Sequence, residues 1–273
     1  MRVDLHIHST ASDGRWSPEQ LVHNVRHTGI DLFALTDHDS IANVIPVEQE
    51  MRGSGLCFIR AVEISATLDG YGFHIVGYGI DPDRPALLRT LAQNRDRMES
   101  INMQSIDKLI GAGYDISHPE YEAYEDDPTR GGWKALNLFI DKGFCSDVDG
   151  YFQRLFTGDL ALDMPAFCPA ENAIRVIHEA GGLAICAHPA HSAHQELARL
   201  GQLVAQGLDG LECYSPYHDD RTTRRLVGYC RQRGLLITAG SDCHGGFASR
   251  KLGQPEVYAD HLNLGPLLDH IIR

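Results

Sequence analysis

Between residues 183 and 244 the chain reads LAICAHP (183–189), GLECY (210–214) and LLITAGSDCH (235–244). Each is a short apolar run closed by polar or turn residues, and stretches with helical patterning, ending near Gln206 and Gln232, separate them. Short apolar strands that alternate with amphipathic helices predict a parallel α/β sheet or barrel, since each strand must be covered by helices on its outer face. Two of the runs pass directly into ionisable residues, His188 in one case and Asp242 with His244 in the other. At the carboxyl end of a barrel strand such a loop is where α/β enzymes place their active sites.

The N-terminal third follows the same rhythm. Arg2 to Ile7 alternates as a strand and ends in His6-Ile7-His8, with Asp13 entering the loop a few residues later. Residues two apart on a strand share a face, so both imidazoles can reach one ion. Ser17-Pro18-Glu19-Gln20 supplies a helix cap, a proline at the first helical position and a capping-box glutamine, and Gly29 can end that helix. Leu32 to Leu35 is a buried strand that runs into Thr36-Asp37-His38-Asp39, and a helix is expected from about Ile41 to Arg52. Phe58 to Ile64 and Phe73 to Tyr78 are further strands, joined through an Asp69-Gly70-Tyr71-Gly72 turn.

Glu63 interrupts an apolar strand, where an unpaired carboxylate would be costly, so it requires a cation or several donors. His74 stands in a strand by the same logic, and His188 is presented at the mouth of its strand by Pro189. Asp242 and His244 are again two apart, flanked by glycines that allow close backbone approach. Carboxylates and imidazoles together suit zinc, manganese or iron rather than calcium.

From about Met98 to Phe167 the rhythm breaks. This stretch has helical patterns, an acidic segment at Glu120 to Asp127 and no strand signal. It predicts a helical insertion (98–167) between a first part (1–97) and a second part (168–273) of the barrel.

A chain of 273 residues can bury a substantial core without disulfides or structural metals. The seven cysteines are scattered, without CxxC spacing, as expected of reduced thiols in the cytoplasm; Cys186 and Cys243 read as small packing residues. No run reaches the roughly 18 apolar residues of a membrane span. A formal net charge of -13 argues against a stable nucleic-acid complex, which needs Lys and Arg against phosphates. Two or three divalent cations would add about four to six positive charges at one spot and reverse that sign locally.

The segments DLHIHS (4–9), LTDHDS (35–40), AVEIS (61–65), CAHP (186–189) and GSDCHG (240–245) together resemble the PHP (polymerase and histidinol phosphatase) superfamily. The resemblance covers the chain outside the insertion. It implies a distorted seven-stranded TIM-like β/α barrel with a trinuclear metal site at the carboxyl ends of the strands. Carried over residue by residue, His6, His8, Glu63 and Asp242 would hold one ion. Glu63, His74 and His188 would hold the second, and Asp13, His38 and His244 the third. Asp13 departs from members that have histidine there, and its harder oxygen shifts preference toward manganese or magnesium. The implied cofactor is two or three divalent ions, manganese first, with zinc, iron or magnesium as alternatives.

With FHIVGYG (73–79) and the long insertion, the chain is most similar to the 3',5'-nucleoside bisphosphate phosphatase branch. That implies a small phosphorylated nucleotide as substrate, attacked in line by a metal-bridged hydroxide, with nucleoside 5'-monophosphate as product. His191 and His194 are candidates to protonate the leaving group, against a reading as surface histidines. Arg95, Arg130 and Lys134 are candidates for a second phosphate, against a reading as solvated helix-face charge. The alternatives are another PHP phosphatase acting on histidinol phosphate, a 5'-3' exonuclease of oligonucleotides, an amidohydrolase and a non-catalytic module. Amidohydrolases commonly bridge two metals with a modified lysine, whereas Lys108, Lys134, Lys142 and Lys251 all lie outside the predicted strand ends.

Overall fold

The computed structural model describes residues 1–163, 165–190 and 197–273. After β1 (Arg2–Asp4), α1 (Pro18–Thr28) begins at Ser17, whose side chain accepts from the Gln20 amide while Gln20 returns a bond to the cap, and it ends at Gly29 in the left-handed region. Next come β2 (Leu32–Leu35), α2 (Val44–Glu50), β3 (Cys57–Leu68), β4 (Tyr71–Tyr78) and α3 (Pro85–Gly111). Between α3 and the next strand lie α4 (His118–Ala123), α5 (Lys134–Asp141) and the single turn α6 (Val148–Gly150). The chain then returns through β5 (Cys168–Pro169), α7 (Ala170–Glu179), β6 (Leu183–Cys186), α8 (Leu197–Ala205), β7 (Gly210–Tyr214), α9 (Asp220–Arg233), β8 (Leu236–Ala239) and β9 (Val257–Tyr258).

The strand order β8-β7-β6-β4-β3-β2-β1-β9 curls until β8 meets the extension of β1, where the Leu5 amide donates to Ala239 O at 3.0 Å and Ile7 bridges Cys243. Seven strands thus make a distorted barrel, with β9 on the β1 edge and β5 beside β3. One strand departs from the parallel expectation. β4 is antiparallel to both β3 and β6. The cause is local: Asp69 and Gly70 both have positive φ, 51° and 81°, which closes a tight hairpin with no room for a crossover helix.

Inside the ring, Leu5, Leu32, Ala34, Ile59, Val76 and Ile185 pack together. Outside it, strand residues of the opposite parity meet the helices, as Phe33 and Leu35 do with Leu21 and Val47. α3 runs unbroken through residue 98, so the first boundary predicted for the insertion falls within a helix. Its first half packs on the barrel through Leu87 and Leu91. Its second half gives Ile106 and Leu109 to a separate cluster with Tyr121, Leu136, Phe139, Tyr151 and Phe156. Among the described residues no helix is long and apolar enough to cross a membrane.

Candidate metal centre

His6 and His8 follow β1 on either side of Ile7, whose side chain faces the outer core, so the imidazoles turn inward. Both are fully buried. Glu63 lies on β3 at the centre, and its two carboxylate oxygens divide five histidines between them. Oε2 faces His6 Nε2 at 3.2 Å, His8 Nε2 at 3.4 Å and His38 Nδ1 at 3.0 Å. Oε1 faces His74 Nδ1 at 3.1 Å and His188 Nε2 at 3.2 Å. His74 reaches the site because β4 is reversed: the start of an antiparallel strand lies where its neighbours end, and His74 pairs across from Ser65.

Asp242 Oδ1 stands 2.9 Å from His8 Nε2 and 3.3 Å from His6 Nε2. Asp13 Oδ2 approaches His244 Nε2 at 3.1 Å and His38 Nε2 at 3.9 Å. Three groups result whose ligand atoms lie within 4.8 Å of one another: His6-His8-Glu63-Asp242, His8-Asp13-His38-His244 and His38-Glu63-His74. The first repeats the grouping that the resemblance implied. The third has His38 beside Glu63 and His74 where His188 was expected, while His188 remains on the shared Glu63 oxygen.

These residues fit a metal cluster by a physical test. His6 Nε2, both ring nitrogens of His8, His38 Nδ1, His74 Nδ1 and Glu63 Oε2 are buried and, close as they lie to one another, form no aligned hydrogen bond among the described residues. So many orphaned polar atoms at one point would be expensive in a finished core, and a mixed imidazole and carboxylate set is what a divalent transition ion satisfies. Burial opposes ionisation of Glu63, yet the imidazoles of His6, His38 and His74 hold it well below the usual carboxylate range. Asp242 is likewise held down, against burial, by His6 and His8. Burial, with His244 and His38 beside it, pushes His8 down to about 3, favouring the neutral ring that a ligand must be. His6 goes the other way: burial lowers it, but Glu63, Glu212 and Asp242 together raise it.

The backbone is strained at the same place. Of the four non-glycine residues with positive φ among the described residues, Asp39 (46°), His188 (27°) and Asp242 (50°) belong to the site or its rim, and Asp69 is the hairpin turn. Such conformations persist where surrounding structure over-determines them, which is common at functional sites.

Several supporting residues escaped the sequence reading. Glu212 on β7 holds His6 Nδ1 at 2.6 Å; its signal was present, an acidic residue inside an apolar strand, as for Glu63. Tyr217 donates to Asp242 Oδ2 at 2.7 Å, and Arg250 Nε lies 3.0 Å from the same oxygen. Asp37 accepts from the Ser9 amide and from the hydroxyls of Ser9 and Ser12, fixing the loop that carries Asp13. Nothing in their local sequence marks Tyr217 or Arg250.

A cavity of about 520 Å³ opens on the cluster at Asp13, His38 and His74, and Met98, Trp133, Phe152 and Phe167 line its other side. Arg95 also lines it, donating to Asp39 O at 2.7 Å. Arg130 lines an adjoining cavity that shares Asp13 and Trp133, and its guanidinium binds Asp141 through two nitrogens. Lys134 is in neither lining; its Nζ donates to Glu122 O and lies over the Tyr121 ring. His191 and His194 lie outside the described residues.

A β/α barrel with this cluster at its mouth has the architecture of a metal-dependent hydrolase. The family profile of the PHP domain matches residues 4–183, and the chain belongs to that family. A 5'-3' exoribonuclease of Haemophilus influenzae is 32% identical over 247 residues, covering 89% of this chain and 90% of that protein. A 3',5'-nucleoside bisphosphate phosphatase of Chromobacterium violaceum is 28% identical over 264 residues, 93% of this chain and 91% of that protein. A solved structure from Bifidobacterium adolescentis superposes with a TM-score of 0.83 at 23% identity, covering 94% of this chain and 93% of that one, which shows the shared fold.

Proposed function

We propose that the chain hydrolyses the 3'-phosphate of a nucleoside 3',5'-bisphosphate, leaving the nucleoside 5'-monophosphate and inorganic phosphate. The observation that carries this reading is the cavity of about 520 Å³, which joins ligand-cluster residues on one side to Trp133, Phe152 and Phe167 on the other. Its size suits a small ligand, and aromatic faces suit a nucleobase. His6, His8, Asp13, His38, Glu63, His74, His188, Asp242 and His244 would hold two or three divalent cations, manganese first because Asp13 adds a hard oxygen to the set. Bound there, such ions supply a nucleophilic water at neutral pH and stabilise charge on the phosphoryl oxygens.

Arg95 is the guanidinium that shares the cavity with the cluster, and the donors it does not spend on Asp39 O suit a second phosphate. Arg130 would have to release Asp141 to serve, and Lys134 would have to leave Tyr121. A 5'-phosphate held by Arg95 would orient the reacting ester, so a nucleoside 3'-monophosphate should react more slowly.

The second reading is 5'-3' exoribonuclease activity, favoured by the 32% identity to a protein of that name over 90% of its length. The two readings share a bond. In a 5'-phosphorylated oligoribonucleotide the first internucleotide phosphate is also an ester of O3', and its hydrolysis releases the same 5'-monophosphate. A phosphate-release and product panel with manganese tests both, comparing adenosine 3',5'-bisphosphate, AMP, histidinol phosphate and a short 5'-phosphorylated oligoribonucleotide. Release of the 5'-phosphate, or AMP turning over as fast as the bisphosphate, would sink the first reading.

A further inference from the structure

The chain carries a net charge of -13, yet α9 exposes Arg221, Arg224, Arg225, Arg231 and Arg233 within 14 residues, five of its 24 basic residues. Arg233 lies over the Tyr229 ring. The other four form no ion pair among the described residues. A structural helix in an acidic protein would be expected to neutralise such a run with carboxylates at three- or four-residue spacing. Asp219 and Asp220 stand at its start; Asp219 caps the helix by accepting from the Thr222 amide at 2.7 Å and also interacts electrostatically with Arg221 and Arg224, which leaves Arg225 and Arg231 as the less compensated end of the run.

The run borders a defined groove. Tyr214, Asp220, Thr223, Arg224, Val227, Gly228 and Arg231 line a cavity of about 370 Å³ along α9. Arg224 and Arg231 are seven residues apart, about 10 Å along the helix axis and on one face. Between them Gly228 removes the side chain that would fill the gap, and a Cβ there would meet nothing within 4 Å. Two arginines against Asp220 leave the lining with an excess of one positive charge, flanked by Arg221 and Arg225. The register shift in β7 between Glu212 and Tyr214 lets these neighbours part company: Glu212 goes to His6 inside the barrel, and Tyr214 packs with the outer layer beside α9.

The groove lies a short way along the chain from the candidate metal centre. Tyr217 donates to Asp242 Oδ2, and Asp220 at the groove mouth is three positions beyond Tyr217, at most about 11 Å of chain. We propose that this groove holds the downstream phosphates of a single-stranded oligoribonucleotide whose 5'-terminal nucleotide occupies the cluster cavity. The proposal rests on the exoribonuclease reading above. The whole-chain charge disfavours general nucleic-acid binding, and α9 reverses that charge along one path from the site.

The test uses the full chain with manganese and two substrates, adenosine 3',5'-bisphosphate and a 5'-phosphorylated decaribonucleotide. R224E/R231E reverses the charge at both positions, and Gly228→Leu fills the groove with a residue that favours helix. Both variants should lower kcat/KM for the decamer at least about tenfold and leave the bisphosphate within about twofold. For the wild type, log kcat/KM on the decamer should fall more steeply with log salt than for R224E/R231E, by a slope difference of at least about 1.4 for two phosphates. Binding of a fluorescein-labelled decamer in EDTA, read by anisotropy, separates the groove from the chemistry. Weakened binding in both variants upholds the groove, even if neither substrate turns over and the catalytic reading fails. Binding unchanged in both variants overturns the groove, whatever the enzyme hydrolyses.

Discussion

The Nδ1 atom of His6 lies 2.6 Å from Oε2 of Glu212, and both side chains are fully buried. A proton on Nδ1 directed at Glu212 leaves the Nε2 lone pair facing Glu63 and Asp242. Partners of this kind fix the tautomer of a ligand histidine and typically strengthen metal binding 10- to 100-fold, by the general estimate of about that size. Glu212→Ala should therefore shift the manganese dependence of activity to higher concentration by about 10- to 100-fold, with most of kcat recovered at saturation. Glu212→Gln, which still accepts through its carbonyl oxygen, should fall between. An unchanged manganese titration in Glu212→Ala would remove this role.

Asp242→Ala and His8→Ala should each reduce turnover by more than about 100-fold with the fold intact by circular dichroism, because both change the group around Glu63. Glu63→Gln should lower the bound metal as well as the rate, since a neutral amide cannot offset two cations. Elemental analysis of purified Glu63→Gln is the direct check, and wild-type stoichiometry would count against a bridging carboxylate.

Metal removal should destabilise the protein, because the cluster collects buried ring nitrogens and a carboxylate oxygen without partners. An ion that binds only the folded chain stabilises it by about 2.7 kcal/mol at 100 times its Kd. The melting temperature should accordingly fall on treatment with EDTA and recover with added manganese in a concentration-dependent way. A Tm indifferent to both would mean that these residues do not hold metal in solution.

Asp37 gives a pH dependence that can be measured in the metal-free protein. Burial raises its carboxyl from 3.8 to about 6, although Ser12 and Ser9 donate to it. Between those values the folded state binds more proton than the unfolded one, so stability falls as pH rises from about 4 to 6 and changes little from this group above that. The shift corresponds to on the order of 2–3 kcal/mol. Asp37→Asn should flatten that part of the stability curve in urea titrations with EDTA. A slope equal to that of the wild type would assign the dependence to other groups.

The strands whose residues show their environment were readable in one dimension. Leu32 to Leu35, Gly210 to Tyr214 and the helix between Ser17 and Gly29 announce themselves because buried strands are continuously apolar and helix ends need specific caps. The candidate ligand cluster was legible for a related reason. Glu63 is a carboxylate where the pattern calls for an apolar residue, while His6, His8 and Asp242 are ionisable residues gathered at strand ends, and both signals are visible without coordinates.

Distance in sequence hides the rest. Alternation placed His6 and His8 on one face, but it could not show that Tyr217 and Arg250 converge on Asp242 from two separate loops. Nor could it show that Arg95 faces the cluster cavity while Lys134 turns to Tyr121, since each reads as a charge on a helix and only packing decides which face is covered. The reversal of β4 rests on two positive-φ residues, and it alone brings His74 to the carboxyl end of the barrel. The sequence by itself determined which residue types would gather and at which strand ends, because burial and turn chemistry are local constraints. Tertiary structure decided how five histidines divide between the two oxygens of Glu63, because that division depends on strand direction and barrel closure, which no local pattern encodes.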